Sequence, residues 1–182
     1  MIITISGQVG AGKSSLARAL AKKLCYKHHS MGQIRKLMAK EKGLTITEFN
    51  KLAEEDPYSD RHVDEFAKRL GEREDNLVID GRLVYHFIPH AIKILILADE
   101  HSRAERIFKD LKNRVSENYK TVEDTLHHIR ERDKSDRKRY AELYSIKEEF
   151  EHPEKFDLVL ETSDLSLEET IKKVLEYLEK KK

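Results

Sequence analysis

Eight consecutive residues, Gly7-Gln8-Val9-Gly10-Ala11-Gly12-Lys13-Ser14, constrain this chain more than any other stretch. They satisfy the pattern G-x-x-x-x-G-K-[ST] between a β-branched run at 2–5 and leucines at helical spacing, Leu16, Leu20 and Leu24. Strand, glycine-rich loop and helix in that order form a phosphate cradle. Glycines let the backbone wrap an anion with its N–H groups pointing inward, where a Cβ would obstruct. Lys13 then supplies a cation for outer phosphates, Ser14 offers a hydroxyl to Mg²⁺, and the helix N-terminus adds partial positive charge.

The same alternation continues along the chain. Apolar runs at 77–79, 92–97 and 156–160 each precede a helical pattern, so the fold class is α/β, a mostly parallel sheet covered on both faces. Ser30 is placed to cap a helix over 31–42, and Thr45 with Glu48 forms a capping box for a second, shorter one. Further helices are predicted over 58–70, 102–114 and 121–144, the last two joined by the polar turn Ser116-Glu117-Asn118. Ser166 and Glu169 open a final amphipathic helix through Ile171, Val174, Leu175 and Leu178, whose closing lysines 180–182 complement its dipole. No repeat and no Ser/Gly/Pro-rich linker divides the 182 residues, which read as one domain.

Charge balance excludes one class of function. Lys and Arg number 35 against 34 Asp and Glu, a net charge of +1, so the chain is not a polycation held to nucleic acid by phosphate neutralisation. No apolar stretch approaches the ~20 residues needed to span a bilayer, and no cationic segment precedes the first apolar run. A soluble chain that is not secreted is expected. The lone Cys25 cannot form an internal disulfide or a thiolate metal cage; it fits a reducing cytoplasm and is expected to be buried at the end of the first helix.

Two further segments carry chemistry. Asp80-Gly81-Arg82-Leu83 follows the 77–79 run, placing a carboxylate and a guanidinium at the carboxyl end of a strand, where open parallel sheets bind ligands. The carboxylate can hold a Mg²⁺-bound water or a substrate donor, and arginine grips phosphate bidentately. Between Arg130 and Arg139 six basic residues meet three acidic ones, and Arg132, Asp136 and Arg139 share one helical face. Beside a phosphate loop, such cations serve to neutralise a transferring phosphoryl group. The aromatic stretch 82–90 reads as packing under an acceptor site, not as a metal site at His86 and His90. The pairs His28-His29 and His127-His128 read as ordinary surface or edge residues whose side chains diverge.

Taken together, ITISGQVGAGKSS, HHSMGQIRKLMAKEKGL, VIDGRL, ADEHSRAERI, IRERDKSDRKRYAELY and FDLVLET resemble the cytidylate kinases, especially their short archaeal-like form. The resemblance covers nearly the whole chain. It implies a five-stranded parallel sheet, a helical segment of about 30–75 for the acceptor monophosphate, and a lid of about 106–140 over ATP. By that resemblance Gly7 through Ser15 (Gly7, Gln8, Val9, Gly10, Ala11, Gly12, Lys13, Ser14, Ser15) hold the ATP phosphates and Arg106 packs on the adenine. Ser30, Arg35 or Lys36, Asp80 and Arg82 hold the acceptor, while Arg132, Asp136 and Arg139 engage the pyrimidine nucleotide and the transferring group. This chain departs from its relatives at Lys36, where they carry arginine, at Gln33, which lacks their acid, and at Lys109-Asp110, in place of a second lid arginine.

The expected activity is therefore Mg²⁺-dependent transfer of the γ-phosphoryl of ATP to CMP or dCMP by a monomer. Lys13, Arg132 and Arg139 would act as the catalytic cations. Rival readings are a kinase for AMP, UMP or a non-nucleotide, and a nucleotide-dependent switch, although no guanine-reading N-K-x-D segment occurs. A nucleic-acid contact by the 130–139 helix is weakened by its aspartates and its shortage of aromatics.

Overall fold

The computed structural model describes residues 1–113, 117, 119–146 and 152–181. Its strands are β1 (Ile2–Ser6), β2 (Lys27–Ser30), β3 (Leu77–Asp80), β4 (Ile92–Leu97) and β5 (Leu158–Glu161). They form one sheet in the order β2-β3-β1-β4-β5, with every pairing parallel. β1, at the centre, is buried along its whole length, which is why it reads as a run and not as an alternation.

Helices cover both faces. On one, α1 (Lys13–Leu24) and the last helix, Leu167–Glu179, bury Leu16, Leu20 and Val174 against Ile3, Ile5 and Ile94. On the other, α2 (Met31–Glu41), α4 (Tyr58–Arg73) and the short α5 (Val84–Phe87) bury Met31, Val63, Ala67 and Val84 against Leu77 and Ile79. Between α2 and α4 runs α3 (Ile46–Glu55). Beyond the loop after β1, α6 (Glu100–Lys109) and α7 (Val122–Tyr144) close a smaller core of Val9, Ala104, Ile107 and Ile129. The closing helix, α8, completes the chain. None of the described helices is long and apolar enough to cross a membrane.

Caps set the boundaries. Ser30 Oγ accepts from Gln33 N, and reciprocal capping boxes at Thr45/Glu48 and Ser166/Glu169 open α3 and α8. α6 starts at Glu100, not at 102, because Asp99 accepts a hydrogen bond from Ser102 N at 2.9 Å; it stops at Lys109, and Leu111–Asn113 forms a 3₁₀ turn. Of the expected turn, Ser116 and Asn118 lie outside the described residues, as do Arg114 and Lys182. β5 begins at Leu158, later than 156, because Phe156 joins Tyr85, Phe87, Tyr140 and Tyr144 in an aromatic cluster.

Three expectations are corrected. Cys25 is exposed, since it adopts a left-handed φ of 56° that turns the chain away at the end of α1. The His127 and His128 rings do not diverge; they lie 5.8 Å apart, edge to face, with His128 4.9 Å from Tyr119. His28 and His29 belong to β2 at the sheet edge, but His28 is no bystander: its imidazole reaches Asp80.

Candidate functional site

In a parallel sheet all carboxyl ends face the same way, and here the register sets Asp80 beside Ile5 on one side and Ser30 on the other. The loop leaving β1, the end of β3 and the start of α2 therefore meet in one row. Gly7 has a φ of 141°, and a Cβ there would collide with the Ile96 carbonyl oxygen, so only glycine fits. α1 opens at Lys13 with no side-chain cap and no acid in its first turn, leaving its first N–H groups for an anion. Lys13 Nζ donates to the Gln8 carbonyl at 2.6 Å.

Asp80 is the junction. Its Oδ2 accepts from Ser14 Oγ at 2.7 Å and from Ser30 Oγ at 3.0 Å, while its Oδ1 lies 2.7 Å from His28 Nε2. Ser14 Oγ and the Asp80 carboxylate thus present adjacent oxygens beside the phosphate loop. That donor set fits Mg²⁺, which keeps several waters and takes one or two protein oxygens. Among the described residues no cluster of three or more His, Cys, Asp or Glu forms an all-protein metal cage.

A cavity of about 830 Å³ runs from this loop to α4. Of the residues singled out from the sequence, Val9, Gly10, Ala11, Gly12, Lys13, Ser14, Ser15 and Arg106 line it, together with Ser30, Arg35, Lys36, Asp80, Arg82, Arg132, Asp136 and Arg139; Gly7 and Gln8 lie outside the lining. Arg106 donates to the carbonyls of Ala11 and Ser163 and to Thr162 Oγ1 at 3.3–3.4 Å, bridging the phosphate loop and the segment after β5.

Opposite the strand ends the guanidinium groups are linked through shared aspartates. Arg35 Nη1 and Arg139 Nε bind the two oxygens of Asp60 at 2.6 and 2.9 Å, and Arg35 Nε donates to Asn50 at 2.9 Å. Arg139 also pairs with Asp136, which takes Arg82 Nη1 at 2.5 Å. Arg82 Nη2 reaches Asp133 at 3.1 Å, and Asp133 is held in turn by Arg103 at 2.9 Å. Lys36 pairs with the buried Glu117 at 2.9 Å. Burial opposes the charge of Asp136, yet Arg82, Arg139 and Arg132 hold its carboxyl below the ordinary value. Burial likewise opposes the charge of Arg139, which Asp136 and Asp60 outweigh, so its pKa rises.

Arg132 differs. It makes no ion pair among the described residues, its Nε is buried without a hydrogen-bond partner, and burial and then Arg82 push its pKa down. A buried cation short of negative charge draws an anion into the cavity.

Sequence reasoning missed Asp60, Asn50, Asp133, Arg103 and His28. The helical spacing of Asp60 with Val63 and Ala67 was the available signal for the first; His28 sits in a polar edge strand that carries no periodicity.

Comparison with known proteins places the whole chain in a family. The model of the cytidylate kinase-like family matches residues 2–164. The cytidylate kinase of Archaeoglobus fulgidus is 34% identical over 183 aligned positions, spanning 100% of this chain and 97% of its own length. That of Pyrococcus abyssi is 38% identical over 169, covering 92% and 88%. Among solved structures, the shikimate kinase from Acinetobacter baumannii in complex with shikimate superposes with a TM-score of 0.62 at 19% identity, covering 100% of this chain and 94% of that one, a likeness of fold. The glycine loop, the arginine-lined cavity and these matches lead to one conclusion: the chain belongs to the cytidylate kinase-like family.

Proposed function

We propose that the protein transfers the γ-phosphoryl group of ATP to CMP or dCMP, giving ADP and CDP or dCDP. The observation that carries this reading is a continuous cavity with a phosphate loop at one end and linked arginines at the other, room for two anionic molecules face to face. Cytidylate kinase relatives supply the acceptor class.

An oxygen of the acceptor's phosphate attacks the γ-phosphorus in line, and the bond to the β–γ bridging oxygen breaks as ADP leaves. Positioning and charge neutralisation, with no strong base, are what such a loose transition state needs. Residues 7–15 hold the donor's phosphates, and Arg106 packs on its adenine. Ser30, Arg35, Lys36, Asp80, Arg82 and Asp136 hold the acceptor. Lys13, Arg132 and Arg139 carry the charge of the transferring group. Ser14, with Asp80 behind it, would hold Mg²⁺, which when bound offsets charge on the β- and γ-phosphates. Residues 30–75 act as the acceptor segment and 106–140 as a cover that excludes water. The enzyme works as a cytoplasmic monomer.

The test is ADP release from ATP and Mg²⁺ with a panel of CMP, dCMP, UMP and AMP. CMP-dependent release is expected, falling about 10³-fold in Lys13→Ala. Preference for AMP would remove the pyrimidine assignment, and release indifferent to every acceptor would remove the kinase.

A further inference from the structure

On α4, Asp60, Val63 and Asp64 recur at helical spacing, and all three line the cavity. Asp60 is taken up by Arg35 and Arg139. Asp64 is not: no cation pairs with it among the described residues, and its Oδ2 accepts a hydrogen bond from the Tyr144 hydroxyl. Oδ1 makes no hydrogen bond there.

The neighbouring wall suits a flat ring more than a phosphate. Met31, Val63, Leu83, Val84 and Tyr140 line the same cavity, and Met31, Val63 and Val84 belong to one apolar cluster. Tyr140 and Tyr144 share another with Leu83, so the group that holds Asp64 is itself fixed by packing. A half-buried carboxyl beside apolar walls, with one oxygen held and the other open, is built to accept a hydrogen bond from a donor on an otherwise apolar edge.

We infer that Asp64 reads the base of the acceptor nucleotide, its Oδ1 accepting a hydrogen bond from an exocyclic amino group, the 4-amino group when the base is cytosine. The inference rests on the function proposed above and adds a specificity-determining residue to it. Uracil presents a carbonyl oxygen at the same place, and two acceptors facing each other repel.

The ionisation of Asp64 gives this reading a pH signature. Burial raises its carboxyl to about 7, the Tyr144 hydrogen bond opposing and Asp60 adding to the rise. The groups facing it are Asp60 on α4, Arg35 on α2, and Arg139, Tyr140 and Tyr144 on α7. Asp136 and Asp60 hold Arg139 in its charged form, and burial pushes the two tyrosine hydroxyls upward, away from neutrality. As a neutral acid Asp64 can donate to a carbonyl, so discrimination against uracil is weaker below pH 7 and stronger above it. Titration of the acceptor's phosphate is common to CMP and UMP and cancels in their ratio.

The experiment measures kcat/KM for CMP, UMP and the 5′-monophosphate of 2-pyrimidinone riboside, which lacks the amino group. Wild type is expected to prefer CMP over the deaminated analogue by about 10- to 100-fold, the loss of one hydrogen bond to a charged acceptor. Its CMP:UMP ratio should rise between pH 6 and 8. Asp64→Asn, isosteric and able to donate to the 4-carbonyl, should shrink that ratio at least tenfold and flatten its pH dependence. Asp64→Ala should bring CMP and the analogue within about threefold; if Ala unfolds, Asn decides. CMP-dependent turnover with unaltered ratios in the folded variants overturns this inference and leaves the kinase standing. Absence of acceptor-dependent ADP release in wild type overturns both.

Discussion

Asp60 holds two guanidinium groups at once, Arg35 at 2.6 Å and Arg139 at 2.9 Å, at a position only 4% exposed. Removing its charge leaves two buried cations short of their partner. Asp60→Asn should therefore cost about 3–5 kcal/mol, read as a lower urea midpoint. Asp64, one turn along, behaves in the opposite sense because its charge is unwelcome. Between the ordinary 3.8 and about 7, the folded chain keeps a proton on Asp64 that the unfolded chain has released. Stability of the wild type accordingly falls as pH rises through that window. Asp64→Asn should lack the fall, so its melting temperature gains on wild type from pH 4 to 7 and holds a constant offset above. Asp136 has the reverse sign: its depressed pKa makes its stabilisation complete above the unfolded-state value and lost as pH drops through the folded one.

At the scale of elements, the junction of β3 and α5 is tight. A Cβ on Gly81 would stand 2.7 Å from Val84 Cγ1 and 3.1 Å from Met31 Cβ. Gly81→Ala should cost about 1–3 kcal/mol by overpacking and raise the acceptor's KM more than that of ATP, since Asp80 and Arg82 flank it. Calorimetry and initial rates in both substrates check the two halves. This junction was legible beforehand, because D-G-R follows an apolar run whose burial dictates a strand. Most elements were legible for the same reason: β1, β3 and β4 are apolar runs, and Thr45/Glu48 and Ser166/Glu169 announce their helices. β2 was not, because Lys27-His28-His29-Ser30 lies at an edge and owes its pairing to β3 rather than to its own pattern. Arg132, Asp136 and Arg139 could be placed on one face by counting. That Asp60 would meet Arg139 could not, since 79 residues separate them and only the packing of α4 near α7 brings them together.

Across the whole molecule, shared aspartates link α2, α4, α6, α7 and the end of β3 into one chain of charges around the cavity. Nucleotides that bind only the folded state stabilise it by mass action, about 2.7 kcal/mol at a hundred times Kd. For a chain of this length CMP at that concentration should raise the melting temperature by roughly 5–11 °C, and Arg132→Ala should abolish most of the rise while Lys23→Ala, in the exposed last turn of α1 and outside the cavity lining, leaves it. Differential scanning fluorimetry reads both. The strand order has an outcome for protein engineering. The chain departs from the sheet where β2 ends and rejoins it one strand over at β3, after α2, α3 and α4. Those helices form a cassette spliced between two adjacent rails, and grafting a foreign one there that keeps an acid in the place of Asp60 would redirect which molecule is phosphorylated while leaving the loop that holds ATP in place.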